Sequence, residues 1–167
     1  MIEHIAWRSG FNVEVSVKLD KFNLAHVICE DLGIALGRAV AEYIDRSIDE
    51  GVNSYGFGVG IIDEAKAECV MSFESRSYFG FTSKAALPAF AEDMHAEDLQ
   101  VFLDGFAQGA RATVHLDIEK GENSHHIWEA AYRAFGIALG EALRPDPGKK
   151  GRTSGVAGRV GFAVETE

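Results

Sequence analysis

A chain of 167 residues with 47% apolar content has enough material for one compact domain or two small similar halves. Its 26 acids against 16 bases leave a formal charge of −10, which repels phosphate backbones and argues against a nucleic-acid partner. With no run of about 18 apolar residues and no basic-then-apolar leader, neither a membrane span nor a secretory signal is expected, and the setting reads as cytoplasmic.

In chain order, residues 2–10 read as a helix ending at Gly10. Val13, Val15, Val17 and Leu19 alternate with polar residues and predict a half-buried strand feeding a helix that begins near His26. Tyr55–Ile62 and 67–81 are β-type, joined through Asp63-Glu64, whose acids read first as turn formers. Residues 101–109 predict a helix ending at Gly109, 112–118 a strand with alternating Ala112, Val114, Leu116 and Ile118, and the segment from Asn123 a long helix. After Arg144, the run Pro145-Asp146-Pro147-Gly148 leads into a loop and a mobile tail.

The second half of this series repeats the first at an offset of 99, with His26 under His125, Glu30 under Glu129, and Trp7 under Phe106. The expected fold is α+β: two repeated halves of small β-sheet with helices packed on one face, the first half lacking its leading strands. The expected division is 1–50 for the shortened first repeat, 51–145 for the second and 146–167 for the tail.

Within a helix, His125 and Glu129 stand four apart and project from one face, so an imidazole nitrogen and a carboxylate oxygen can meet one cation. His126 points about a hundred degrees away, towards another centre or another subunit. His26 and Glu30 repeat the spacing, and His115 shares a strand face with Thr113 and Asp117. His4 and His95 read as ordinary surface residues. Cys29 and Cys69 have no metal-ligand spacing and read as buried free thiols.

The run from Thr113-Val114-His115 through Asn123-Ser124-His125-His126-Ile127-Trp128-Glu129 resembles the second histidine motif of the imidazoleglycerol-phosphate dehydratases, dimanganese lyases of histidine biosynthesis. The resemblance covers residues 1–145. Met1-Ile2-Glu3-His4-Ile5-Ala6 is similar to the stretch directly after the family's Phe-Leu-Asp-His motif. It implies one metal, manganese by family, on His26, His115, His125 and Glu129. It implies a second site of which Glu30 and His126 remain, since Val27 replaces a histidine of the early pair. Arg76 and Arg133 match residues that bind the substrate phosphate, and His4 replaces a glutamine near that phosphate. Ser54 stands where the family has an arginine, and Gly155-Val156-Ala157-Gly158 stands for Ser-Thr-Lys-Gly, leaving Arg152 or Arg159 to compensate. Glu30 and Glu64 are the catalytic candidates. The implied protein is a homo-oligomeric hydro-lyase with metal at subunit boundaries and impaired activity. The alternative is a divergent one-metal homologue that binds metal or assembles without dehydrating anything.

Overall fold

The computed structural model describes residues 1–19, 23–156 and 158. Helix α1 (Ile2–Ser9) stops at Gly10, whose left-handed φ of 77° lets its N–H return to the Ala6 carbonyl. Helix α2 (Ala25–Ser47) follows. Strands β1 (Tyr55–Ile62), β2 (Ala65–Ser72) and β3 (Tyr78–Ser83) come next. A two-residue pair, β4 (Phe90–Ala91) and β5 (Met94–His95), leads into α3 (Ala96–Ala110). Strand β6 (Thr113–Lys120), helix α4 (Ser124–Ala142) and a single 3-10 turn at Pro147–Lys149 complete the order.

The main sheet runs β1-β2-β6-β3, antiparallel except for the parallel β6–β3 pair. One face carries Ala67, Cys69, Met71, Val114, Leu116 and Ile118, all buried against the helices. On that face β1 presents Gly56, Gly58 and Gly60. A Cβ on each would lie 1.8, 2.3 and 2.0 Å from the carbonyl oxygens of Ala138, Ala134 and Ala130, so α4 rests directly on the β1 backbone. Phe81 stacks on the buried Trp128 at 5.8 Å and 4°. The other face is open, with Tyr55, Phe57, Ile61 and Tyr78 about half or more exposed. Helices α2 and α3 meet by the same device of small residues, with Gly33 against the Phe102 carbonyl and Gly105 against that of Glu30.

Four expectations are corrected. Residues 13–19 are extended but join no ladder, and Val15, Val17 and Leu19 are 43–50% exposed. Alternation supplies a strand's side chains, but a strand also needs a neighbour for its N–H and C=O groups, and none lies beside this segment. The first half therefore contributes no sheet. The 67–81 stretch is two strands, broken at Ser75, which takes φ 63°. Gly109 is inside α3, pressed on the Ile34 carbonyl, and Arg111 makes the left-handed cap. The first part of the tail is docked: Asp146 N–H donates to Gly51 O at 2.9 Å, Gly151 N–H to Ile48 O at 2.8 Å, and Lys149 Nζ to Asn53 O at 2.7 Å. Ala157 and Arg159 lie outside the described residues. Among the described residues, no helix is long and apolar enough to cross a membrane.

Candidate active site

The start of α4 is built by two caps. Asn123 Oδ1 accepts from the N–H groups of His125 and His126 at 2.9 and 3.2 Å. Glu64, in the β1–β2 turn, accepts through Oε1 from the N–H groups of Glu122 and Asn123 at 3.1 and 2.9 Å. Its Oε2 lies 2.9 Å from His126 Nδ1. The Asn123 N–H, then His126 and the Glu122 N–H, hold the Glu64 carboxyl down at about 2. The same hydrogen bond raises His126 above its ordinary value. Asp63, at φ 44°, brings Oδ2 to 3.7 Å from His126 Nε2.

One turn further on, Glu129 is a buried carboxylate at 5% exposure. His125 Nε2 stands 3.0 Å from its Oε2 and His4 Nδ1 3.6 Å from its Oε1, which also accepts from Arg133. Burial pushes the Glu129 carboxyl up, but the charges of His4, Arg133 and His125 together outweigh it and leave it below the ordinary value. The same burial lowers His4 despite the nearby carboxylate. His125 Nδ1 is buried without a hydrogen bond, 3.4 Å from Glu92 Oε1 but off its axis. Arg133 also donates to the Ile61 carbonyl at 2.8 Å.

The other candidates stand apart. His26, in the first turn of α2, puts Nδ1 3.4 Å from Oδ1 of the buried Asp98 on α3. Glu30 is half-buried on the same helix and takes part in none of these ion pairs. His115 is exposed on the open sheet face, its ring 5.3 Å from that of Tyr78. Arg76 lies exposed between β2 and β3, at the far end of an eight-residue strand from Glu64, roughly 25 Å away. Among the described residues no group of three or more His, Cys, Asp or Glu side chains could hold a metal ion. A single chain brings together His125 with Glu129, and His126 with Glu64, but does not assemble the four-ligand set, so the residues of one chain do not fit a metal centre.

Sequence reasoning missed Asp98, Glu92 and the part played by His4. The first two are far in sequence from the histidines they meet. His4 carried only its place opposite the family's glutamine. Both thiols, Cys29 half-buried and Cys69 buried, are pushed up by burial and are not activated.

The two departures at the implied phosphate site meet in one cleft of about 30 Å³, where Ser54 faces Gly155 beside Asp45, Glu74, Ser75 and Ser154. Ser54 is buried, at φ 60°, with Oγ on the Val52 carbonyl at 3.3 Å. Acids line this cleft where two cations were expected.

A family model described as imidazoleglycerol-phosphate dehydratase matches residues 1–139. The imidazoleglycerol-phosphate dehydratase of Thioalkalivibrio sulfidiphilus is 33% identical over 163 residues, covering 96% of this chain and 80% of that protein. The one from Laribacter hongkongensis is 34% identical over 163 residues, with the same coverage of 96% and 80%. Among solved structures, the Staphylococcus aureus enzyme superposes with a TM-score of 0.76 at 28% identity, covering 87% of this chain and 80% of that one. The Pyrococcus furiosus enzyme gives a TM-score of 0.72 at 26% identity, covering 95% and 83%. With the matched region running from α1 through most of α4, this chain belongs to the imidazoleglycerol-phosphate dehydratase family.

Proposed function

We propose that this protein is a hydro-lyase of histidine biosynthesis that removes water from imidazole glycerol phosphate, at a rate well below that of a fully equipped family member. The observation that carries the reading is the doubly capped start of α4, which holds His125 on Glu129 and His126 on Glu64 within a family match over residues 1–139. Glu64 acts as a positioning carboxylate: it fixes His126 Nδ1 and leaves Nε2 facing outwards. An acid held at about 2 is too weak a base to abstract a carbon-bound proton, so Glu30 is the remaining carboxylate for that step. Arg76 and Arg133 bind the phosphate in this reading. The acidic cleft at Ser54 removes the charge-assisted bonds that a dianion needs, which weakens binding by orders of magnitude.

The site is shared between copies of the chain. His26 and His115 face solvent far from His125, and Arg76 lies at the opposite end of the sheet, so neighbouring copies would bring them together around a divalent metal, manganese by family. The open sheet face with Tyr55, Phe57 and Tyr78 supports self-association, in a cytoplasmic setting. A direct assay of the purified chain with imidazole glycerol phosphate and manganese should give slow but measurable dehydration. His126→Ala should abolish it. The second reading, a homologue that binds metal or assembles without turnover, is favoured by the acidic cleft. It replaces the first if the chain sediments as an oligomer and no turnover is detected.

A further inference from the structure

The buried carboxylate of Glu129 already has a cation. Arg133 lies one helical turn further along α4 and is pinned at two points, with one terminal nitrogen on Glu129 Oε1 and the other 2.8 Å from the Ile61 carbonyl at the end of β1. Gly60 makes this possible: a Cβ there would stand 3.0 Å from the Arg133 Cβ, so the missing side chain lets the arginine stem lie flat on the strand. A planar fork can serve a backbone carbonyl and a carboxylate together, whereas a lysine's compact ammonium lacks that spread. The remaining acceptor positions of Glu129 are approached by His4 at 3.6 Å and His125 at 3.0 Å. A divalent ion bound by His125 and Glu129 would therefore sit within a few ångströms of a fixed guanidinium.

We propose that Arg133 is a built-in cation at Glu129, filling the place a metal ion would need, so that a divalent ion enters only by expelling the guanidinium. Arg133 thereby sets the metal affinity of this chain. The inference rests on the ion pair of a single chain and stands whether or not the dehydratase reading holds, because its readout is affinity and not turnover.

Calorimetric titration of the full chain with Mn²⁺ tests it, comparing wild type with Arg133→Gln, Arg133→Lys, and Glu129→Gln combined with Arg133→Gln. Loss of one charge-assisted contact corresponds to roughly a ten- to hundredfold change, so Arg133→Gln should bind Mn²⁺ tighter by that factor. Arg133→Lys should fall between the two, and the double variant should lose the gain. Equal affinities in wild type, Arg133→Gln and Arg133→Lys overturn the proposal, as does a gain that survives in the double variant. Should Arg133→Gln fail to fold, as judged by circular dichroism, Arg133→Lys decides alone: tighter binding than wild type supports the proposal and unchanged or weaker binding overturns it.

Discussion

At the start of α4, Asn123 accepts two backbone N–H groups and Glu64 two more, and the histidines that follow are held on Glu129 and Glu64. At the start of α2 the equivalent place is taken by Leu24, which has no side-chain cap, and His26 turns away from Glu30 to meet Asp98 on α3. The two segments share the His-x-x-x-Glu spacing, so spacing alone does not make a site. What differs is the support. Helix α4 lies against a sheet whose hairpin supplies Glu64, while α2 follows an extended segment that pairs with nothing. The same contrast runs through the aromatic residues: Phe106 of α3 is fully buried, and Trp7 of α1, its counterpart at the offset of 99, is 84% exposed.

The largest effects should separate these regions most clearly. Trp128, 1% exposed and stacked on Phe81, joins α4 to β3, and Trp128→Ala should cost about 3–5 kcal/mol in urea unfolding. Trp7→Ala should stay within about 0.5 kcal/mol for the isolated chain, as an exposed substitution. Comparable losses for the two would show that α1 is as firmly built as α4 and would break the contrast.

The sequence made the better-supported region legible because its signals are local. Asn123 ahead of an apolar periodic run, the β-type run of Tyr55–Ile62, and the Asp63-Glu64 hairpin all act between near neighbours. The alternating glycines of β1 against Ala130, Ala134 and Ala138 were also written in the chain, as period two facing period four. What sequence reading lost was non-local. The strand expected at 13–19 depended on a partner that no local pattern reports. The break at Ser75 has neither Gly nor Pro to announce it. His26 and Asp98 are 72 positions apart, and Arg133's hold on the Ile61 carbonyl joins residues equally distant in sequence.

Removing the α4 cap should be the next largest effect. Asn123→Ala frees two backbone donors and should cost about 1 kcal/mol, measurable as a lower urea midpoint with unchanged slope. A change of slope would show that the whole start of the helix had come loose, and His126 with it.

A smaller, pH-dependent effect follows from Glu64. Its folded carboxyl at about 2 lies below the ordinary 4.5, so its contribution is fully present above about pH 4.5 and is lost as pH falls towards 2. His126 is raised from 6.5, so its contribution is present below that pH and fades as pH rises through the folded value. Glu64→Gln should flatten the melting temperature between pH 4.5 and 2 relative to wild type. Parallel curves for the two proteins would mean that Glu64 does not hold His126 in solution.

The smallest effect is the reverse experiment on the weaker segment. Leu24 has the extended backbone of an N-cap, φ −110° and ψ 119°, and its carbonyl already accepts the Ile28 N–H at 3.0 Å, so only the side chain is wrong for the position. The leucine is 54% exposed and gives up little apolar burial on replacement. In Leu24→Asn the amide oxygen can accept from the His26 or Val27 N–H, as Asn123 does from His125 and His126. The gain should be a few tenths to about 1 kcal/mol, below the loss at Asn123 because the first turn of α2 is exposed and its donors are already hydrated. A higher urea midpoint would show that the two segments differ by their caps. An unchanged or lower midpoint would show that the weakness of α2 lies before it, in the extended segment without a strand to pair with.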